Sequence, residues 1–207
     1  SVEADSETLR DPYAYNNGLV FYLYGYWPEA KQRFGAILQT RCRGANADET
    51  GRVAWLNLRN MAVALDKRKE VERLGNYLSE QSCTFSPDGV RAEVDCSDPA
   101  KKDDPYCVAG ADLVNIRYAE AIELFQQAEK TEDKAEQWAL YEKAATLLLS
   151  AVAKEPDHPE APLALEKAAI AYERIERPQT AAALYERIIE QVGPLKGKTP
   201  EDRQKLD

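Results

Sequence analysis

Residues 161–188 read APLALEKAAIAYERIERPQTAAALYERI, and this stretch decides the fold class. Leu165, Ala169 and Tyr172 recur at the three- and four-residue spacing of one helix face. Arg177–Pro178–Gln179 then makes a turn, because proline cannot carry on the hydrogen bonding of the helix before it. Ala181, Tyr185 and Ile188 resume the period, so two short helices lie antiparallel. Upstream, the segment PDHPEAP over 156–162 is a rigid connector, and downstream Gly193–Pro194 stops the second helix. Thr199–Pro200–Glu201–Asp202 reads as an N-cap and the first turn of another helix. That helix has barely begun at Asp207, so we expect the natural protein to continue.

Helix pairs of this kind recur toward the N-terminus. From Asp112, the residues Leu113, Ile116, Tyr118, Ala121, Ile122 and Phe125 lay an apolar stripe along one long helix. After Thr131–Glu132–Asp133, a second stripe runs through Trp138, Tyr141, Ala144, Ala145, Leu148 and Ala151, and Ala144 lies 37 residues before Ala181. Residues 11–40 hold Gly18 and Phe21, then Ala30, Phe34 and Ile37, with Pro28 where its missing N–H does least harm, at a helix start. Gly18 and Ala30 mark where two helices press closest, with Phe21 and Phe34 beside them. Residues 50–81 repeat this more loosely: Trp55 and Leu58, a polar turn at Asp66–Lys67–Arg68, and Val71, 41 residues after Ala30. Gly75 stands where an aromatic residue is expected. Residues 1–10 are polar and are expected to be loose.

Composition agrees with helices and excludes several functions. The chain is 44% apolar and 30% charged, with no apolar run long enough to span a bilayer. A formal charge of −9 argues against nucleic acid and anionic membrane surfaces, since phosphate binding needs a concentrated basic face. Basic residues sit mostly three or four positions from acids, as around Glu142–Lys143 and Glu166–Lys167, which reads as a solvated helix face.

The four cysteines, Cys42, Cys83, Cys96 and Cys107, form no C-x-x-C pair, which argues against zinc or thioredoxin-like chemistry. Two disulfides and a compartment outside the reducing cytosol are the better reading. The sequence starts at Ser1 and not at a methionine, so we expect a processed or trimmed protein from which a signal sequence would have been removed. Three of the cysteines lie among the turn signals Ser86–Pro87–Asp88–Gly89, Asp98–Pro99 and Asp104–Pro105. A loop this long needs tying down. Of the three pairings, Cys42–Cys83 with Cys96–Cys107 is favoured, since Cys42 and Cys83 fall at the same place in their repeats. In outline, a flexible segment covers 1–10, two helix pairs 11–81, an irregular insertion 82–110, two further pairs 111–193, and a linker with the start of a helix 194–207.

The Gly and aromatic three residues apart, the small residue and aromatic four apart, and spacings of 37 and 41 residues between units resemble the tetratricopeptide repeat (TPR) family, whose period is about 34. The resemblance covers about 150 of the 207 positions in two stretches. Two units match well, one is half-matched and one degenerate. The connector PDHPEAP and the following Ala-Leu-x-Lys-x-Ala-x-Ala-Tyr are similar to TPR segments of Gram-negative envelope proteins. Those include outer-membrane assembly lipoproteins, periplasmic coordinators of envelope constriction, and periplasmic TPR proteins of the myxobacterial gliding-motility apparatus. The cysteine-bearing insertion departs from all of these.

The resemblance implies an all-α fold, antiparallel helix pairs stacked as a TPR-like solenoid with an irregular disulfide-bearing insertion. It also implies a non-catalytic, periplasmic scaffold that binds a protein or peptide partner on the concave face of the first helix of each pair. Carried over by position, the contact residues are Tyr15, Leu19 and Tyr22, then Leu56 and Asn60, then Glu166, Ile170 and Arg174. Tyr15 and Tyr22 would be aromatic anchors; aromatics at helical spacing more often serve as packing between repeats. The alternative is a substrate-recruiting domain of an enzyme whose catalytic part lies elsewhere.

No residue pattern in the chain itself calls for catalysis. His158, the only histidine, sits among prolines and is expected to be exposed without a partner. There is no Gly-rich phosphate loop, G-x-S-x-G or H-E-x-x-H motif. The acids from Asp95 to Asp104 lack the central glycine of a calcium loop. No cofactor or metal is expected.

Overall fold

The structure, a computed structural model, describes residues 2–156, 158 and 160–192, with the side chains of 2–12 and 191–192 excepted. The expected linker and further helix over 194–207 lie outside the described residues. Among the described residues eight α-helices follow one another: α1 Val2–Leu23, α2 Trp27–Thr40, α3 Glu49–Ala64, α4 Arg68–Ser79, α5 Pro105–Lys130, α6 Lys134–Lys154, α7 Ala161–Arg174 and α8 Pro178–Val192. Among the described residues there is no strand, only an isolated bridge between Arg43 and Ser86. The protein is all-helical apart from its loops. No helix among the described residues is long and apolar enough to cross a membrane.

Three of the interhelical turns are built alike. The amide of Tyr26 donates to the Phe21 carbonyl (2.9 Å), that of Lys67 to Ala62 (2.8 Å) and that of Arg177 to Tyr172 (2.9 Å). One residue earlier the backbone turns left-handed, at Gly25 (φ 76°), Asp66 (φ 51°) and Glu176 (φ 60°). Those amides donate to Tyr22, Val63 and Glu173. This is the Schellman closure, which satisfies the last carbonyls of a helix while reversing the chain. In each case the next helix starts at the following residue, and its first turn closes four residues on, with Ala30, Val71 and Ala181 donating to Tyr26, Lys67 and Arg177. The α5–α6 turn differs: the Gln137 side-chain amide donates to the carbonyls of Ala128 and Thr131. Asp133 caps α6 by accepting from the Glu136 amide (2.8 Å).

The chain falls into two compact units, 1–113 and 114–207. In the first, α1 packs on α2, α2 on α3 and α3 on α4, and α1 also reaches α3. Ala30, Phe34, Trp55 and Leu74 are fully buried. The Trp55 indole keeps its hydrogen bond by donating to the Leu74 carbonyl (3.0 Å), so an apolar core accepts it without an unpaired N–H. A Cβ at Gly18 would stand 2.9 Å from Phe34 Cε1, so the glycine lets α1 lie directly on that ring. Gly51, in the first turn of α3, abuts the Arg41 carbonyl where no side chain could fit. In the second unit α6 packs on α7 and α7 on α8. Ala144, Ala145, Ala151, Ala168 and Ala169 are fully buried there, with Leu148 and Leu165, so small residues let the helices approach closely.

The segment between α4 and α5 is irregular apart from a 3-10 turn over Pro99–Lys101. Cys42 pairs with Cys83 and Cys96 with Cys107, with Cα atoms 5.0 and 5.4 Å apart, as disulfides require. This is the pairing favoured from sequence. The Cys42 carbonyl accepts from the amides of Thr84 (3.1 Å) and Phe85 (2.7 Å), and the buried Tyr106 hydroxyl donates to the Thr84 carbonyl. Arg52 on α3 pairs with Asp104 and lies over the Phe85 ring, 5.9 Å from its centroid.

Two boundaries differ from expectation. α1 begins at Val2, so the segment over 1–10 expected to be loose is helical from its second residue; no glycine or proline interrupts it before Pro12. α5 begins at Pro105 rather than near 111, because Asp104 accepts from the Tyr106 amide (3.0 Å) and Pro105 needs no N–H in a first turn.

Candidate partner-binding faces

The residues assigned to partner binding in the first unit lie on α1 and α3. Tyr15, Leu19, Tyr22 and Leu56 are half-buried, and Asn60 is exposed. The two tyrosines come together around Phe34, with ring centroids 5.7 Å from it for Tyr15 and 6.4 Å for Tyr22. Tyr22 also meets Trp27 edge-on at 5.7 Å. Much of each aromatic ring is therefore engaged inward. The Tyr15 hydroxyl accepts from Asn57 Nδ2 (3.2 Å), which ties α1 directly to α3 next to Leu56. Asn60 accepts from Arg59 (3.1 Å), and the Arg59 guanidinium grips Asp112 through both oxygens (2.8 and 2.6 Å). That carboxylate raises the Arg59 pKa against the opposing effect of burial.

In the second unit Glu166, Ile170 and Arg174 follow one another at four-residue steps along α7, a single stripe. Glu166 and Arg174 are exposed, and Ile170 packs partly against the unit's core. His158 is not exposed as expected: it is half-buried over the Tyr118 ring at 5.4 Å. Its Nδ1 accepts from the Glu160 amide (3.2 Å). Burial raises the Tyr118 phenol pKa, with Glu160 and Glu155 adding to the effect.

One feature of the first unit was not read from sequence. A groove of about 830 Å³ opens between the start of α2, the end of α3 and the start of α4. Leu58, Met61, Ala62 and Leu65 form its apolar floor, with Trp27 and Pro28 to one side. Lys31, Lys67, Arg68, Lys69 and Arg73 also line it, against only Asp66 and Glu70. Glu70 is held by Arg73 (2.9 Å) and Lys31 (2.9 Å), and its carboxyl is pulled down to about 2, chiefly by the Arg73 hydrogen bond. The sequence signal was the run Lys67–Arg68–Lys69 in an otherwise acidic chain, which reads as a polar turn until the apolar floor beside it is seen.

Set against protein-family models, curated protein sequences and solved structures, the chain matches none.

Proposed function

We propose that the chain is a non-catalytic interaction scaffold of TPR-like helix pairs that works in the cell envelope of a Gram-negative bacterium. Its partner is a protein or peptide held on the first helices of the pairs. The observation that carries this reading is the shared turn: Phe21–Tyr26–Ala30, Ala62–Lys67–Val71 and Tyr172–Arg177–Ala181 make the same backbone bonds at corresponding points. Recurrence of one hairpin geometry in unlike sequences is what a repeat architecture requires, since each unit must present the same edge to its neighbour. The Tyr15–Asn57 bond adds support, because it sets the first helices of successive pairs side by side. In this reading Leu19, Leu56 and Asn60 face the partner in the first unit, and Glu166, Ile170 and Arg174 in the second. Tyr15 and Tyr22 present their remaining edges.

The two disulfides fit an extracytoplasmic location, and the periplasm is the compartment this reading assigns. The scaffold would belong to a multiprotein envelope complex, in its narrowest version a gliding-motility complex. The test is capture of partners from envelope extract under non-reducing conditions, with mass-spectrometric identification. The native chain and the Asn60→Arg and Glu166→Arg variants would be compared. A partner lost with either variant, while helicity is unchanged, supports the assigned faces. Equal recovery with all three proteins removes them from the binding surface.

A further inference from the structure

The groove at the α3–α4 turn combines two properties that favour one kind of occupant. Its floor is apolar: Leu58, Met61 and Ala62 are almost fully buried at its base, and Leu65 remains 45% exposed. Its rim is cationic in a chain whose formal charge is −9. The acid best placed to neutralise that rim, Glu70, is already committed to Lys31 and Arg73. Lys67 and Lys69 line the same groove, and neither makes an ion pair among the described residues. A purely hydrophilic anion would leave the floor wet, and a purely apolar ligand would leave the lysines without a counter-charge. The volume, about 830 Å³, lies within the range that encloses a small ligand or a few residues of a peptide.

We propose that this groove docks an acidic linear segment of a partner protein. The segment sets one bulky apolar side chain on Leu58, Met61 and Leu65 and its carboxylates against Lys67 and Lys69. The site is separate from the first-helix faces, since none of the eight residues assigned to those faces lines it. It therefore stands or falls independently of them. Charge gives the encounter its direction and the apolar anchor its grip, so affinity falls as salt is added but does not vanish.

Three short fluorescent peptides provide the test, measured by anisotropy against the intact chain: glutamates around a central phenylalanine, the same with lysines for glutamates, and the acidic peptide with alanine for phenylalanine. The acidic phenylalanine peptide should bind and the other two should not. Lys67→Glu with Lys69→Glu should weaken it about tenfold, the loss of two exposed charge pairs. Both lysines are exposed at the start of α4, where acids suit a helix, so the variant keeps its fold. Asn60→Arg should leave peptide affinity unchanged, and this separates failure of the groove from failure of the first-helix face. Equal binding of the acidic and basic peptides, or no effect of the lysine reversals, would overturn the proposal. So would absence of peptide binding together with self-association in sedimentation that the reversals abolish, since the occupant would then be a second copy of the chain.

Discussion

Gly75 on α4 and Leu113 on α5 meet with almost no space between them: a Cβ at 75 would stand 3.0 Å from Leu113 Cγ and 3.2 and 3.3 Å from its two methyls. The repeat pattern places an aromatic side chain at this position, and the fold has instead brought a helix there. Gly75→Ala gains about 1 kcal/mol of helix propensity but overpacks a buried leucine, which costs about 1–3 kcal/mol. A net loss of about 1 kcal/mol is expected. Gly75→Phe should lose several times that, read as a shift in the urea midpoint. A Gly75→Phe protein as stable as the native chain would mean that α5 does not approach α4 here.

The left-handed residue of the α7–α8 turn is Glu176, whereas the α1–α2 turn uses Gly25. A side chain in this conformation costs about 1–2 kcal/mol, and glycine avoids it at an entropic cost of about 0.5–1 kcal/mol. The Lys134–Glu176 ion pair that the change would remove is about 69% exposed on both sides and contributes little. Glu176→Gly should therefore raise stability slightly, by about 0.5 kcal/mol, seen as a higher melting temperature. A clear fall would show that the turn is not held as described.

Which parts of this were legible in the sequence follows from how local their causes are. The pair over 161–192 could be read because alanine spacing and Pro178 act within a few residues. The disulfide pairing favoured from sequence, Cys42 with Cys83 and Cys96 with Cys107, is the one the structure has. The start of α5 could not, since Asp104–Pro105 opens a helix as readily as it makes a turn, and only the Tyr106 amide on Asp104 decides between them. The role of Gly75 depends on Leu113, 38 residues away, and the groove depends on α2, α3 and α4 converging. No local pattern encodes either. The His158 environment was missed for the same reason, because its partner ring, Tyr118, comes from α5 and not from the connector that carries the histidine.

The inward engagement of Tyr15 and Tyr22 changes what their substitution should do. Tyr15→Phe removes only the hydroxyl that accepts from Asn57, and should cost about 1 kcal/mol. Tyr22→Ala loses the edge-on packing against Trp27 and Phe34, and should cost about 2–3 kcal/mol. Thermal denaturation distinguishes the two outcomes. If Tyr22→Ala leaves the melting temperature unchanged while partner binding falls, the ring is an anchor for the partner and not a packing element.

The two disulfides should differ in what they stabilise. In the chain-entropy account the 41-residue separation of Cys42–Cys83 is worth about 4 kcal/mol, and the 11-residue separation of Cys96–Cys107 about 3 kcal/mol. Cys42 and Cys83 are also fully buried, whereas Cys96 is exposed. Removing the first pair with alanines should therefore lower global stability more. Removing the second should chiefly open the segment before α5 to proteolysis, visible as early cleavage between residues 87 and 104. Equal stability losses and no new cleavage would contradict this division.

Glu70 supplies a pH dependence whose sign is fixed. Its carboxyl is depressed from 4.5 to about 2, first by the Arg73 hydrogen bond, with Lys31 contributing. A depressed acid stabilises the fold above its unfolded pKa, and that contribution disappears as pH falls through the window from about 4.5 to 2. Lys31 and Arg73 are more than half exposed, so solvent screening limits the contribution to about 1 kcal/mol. Glu70→Gln should therefore lower stability by about that amount at neutral pH, and the gap to the native chain should close near pH 2. Urea midpoints measured across that range test it; a gap that stays constant down to the lowest pH would mean the carboxylate charge contributes nothing at this site.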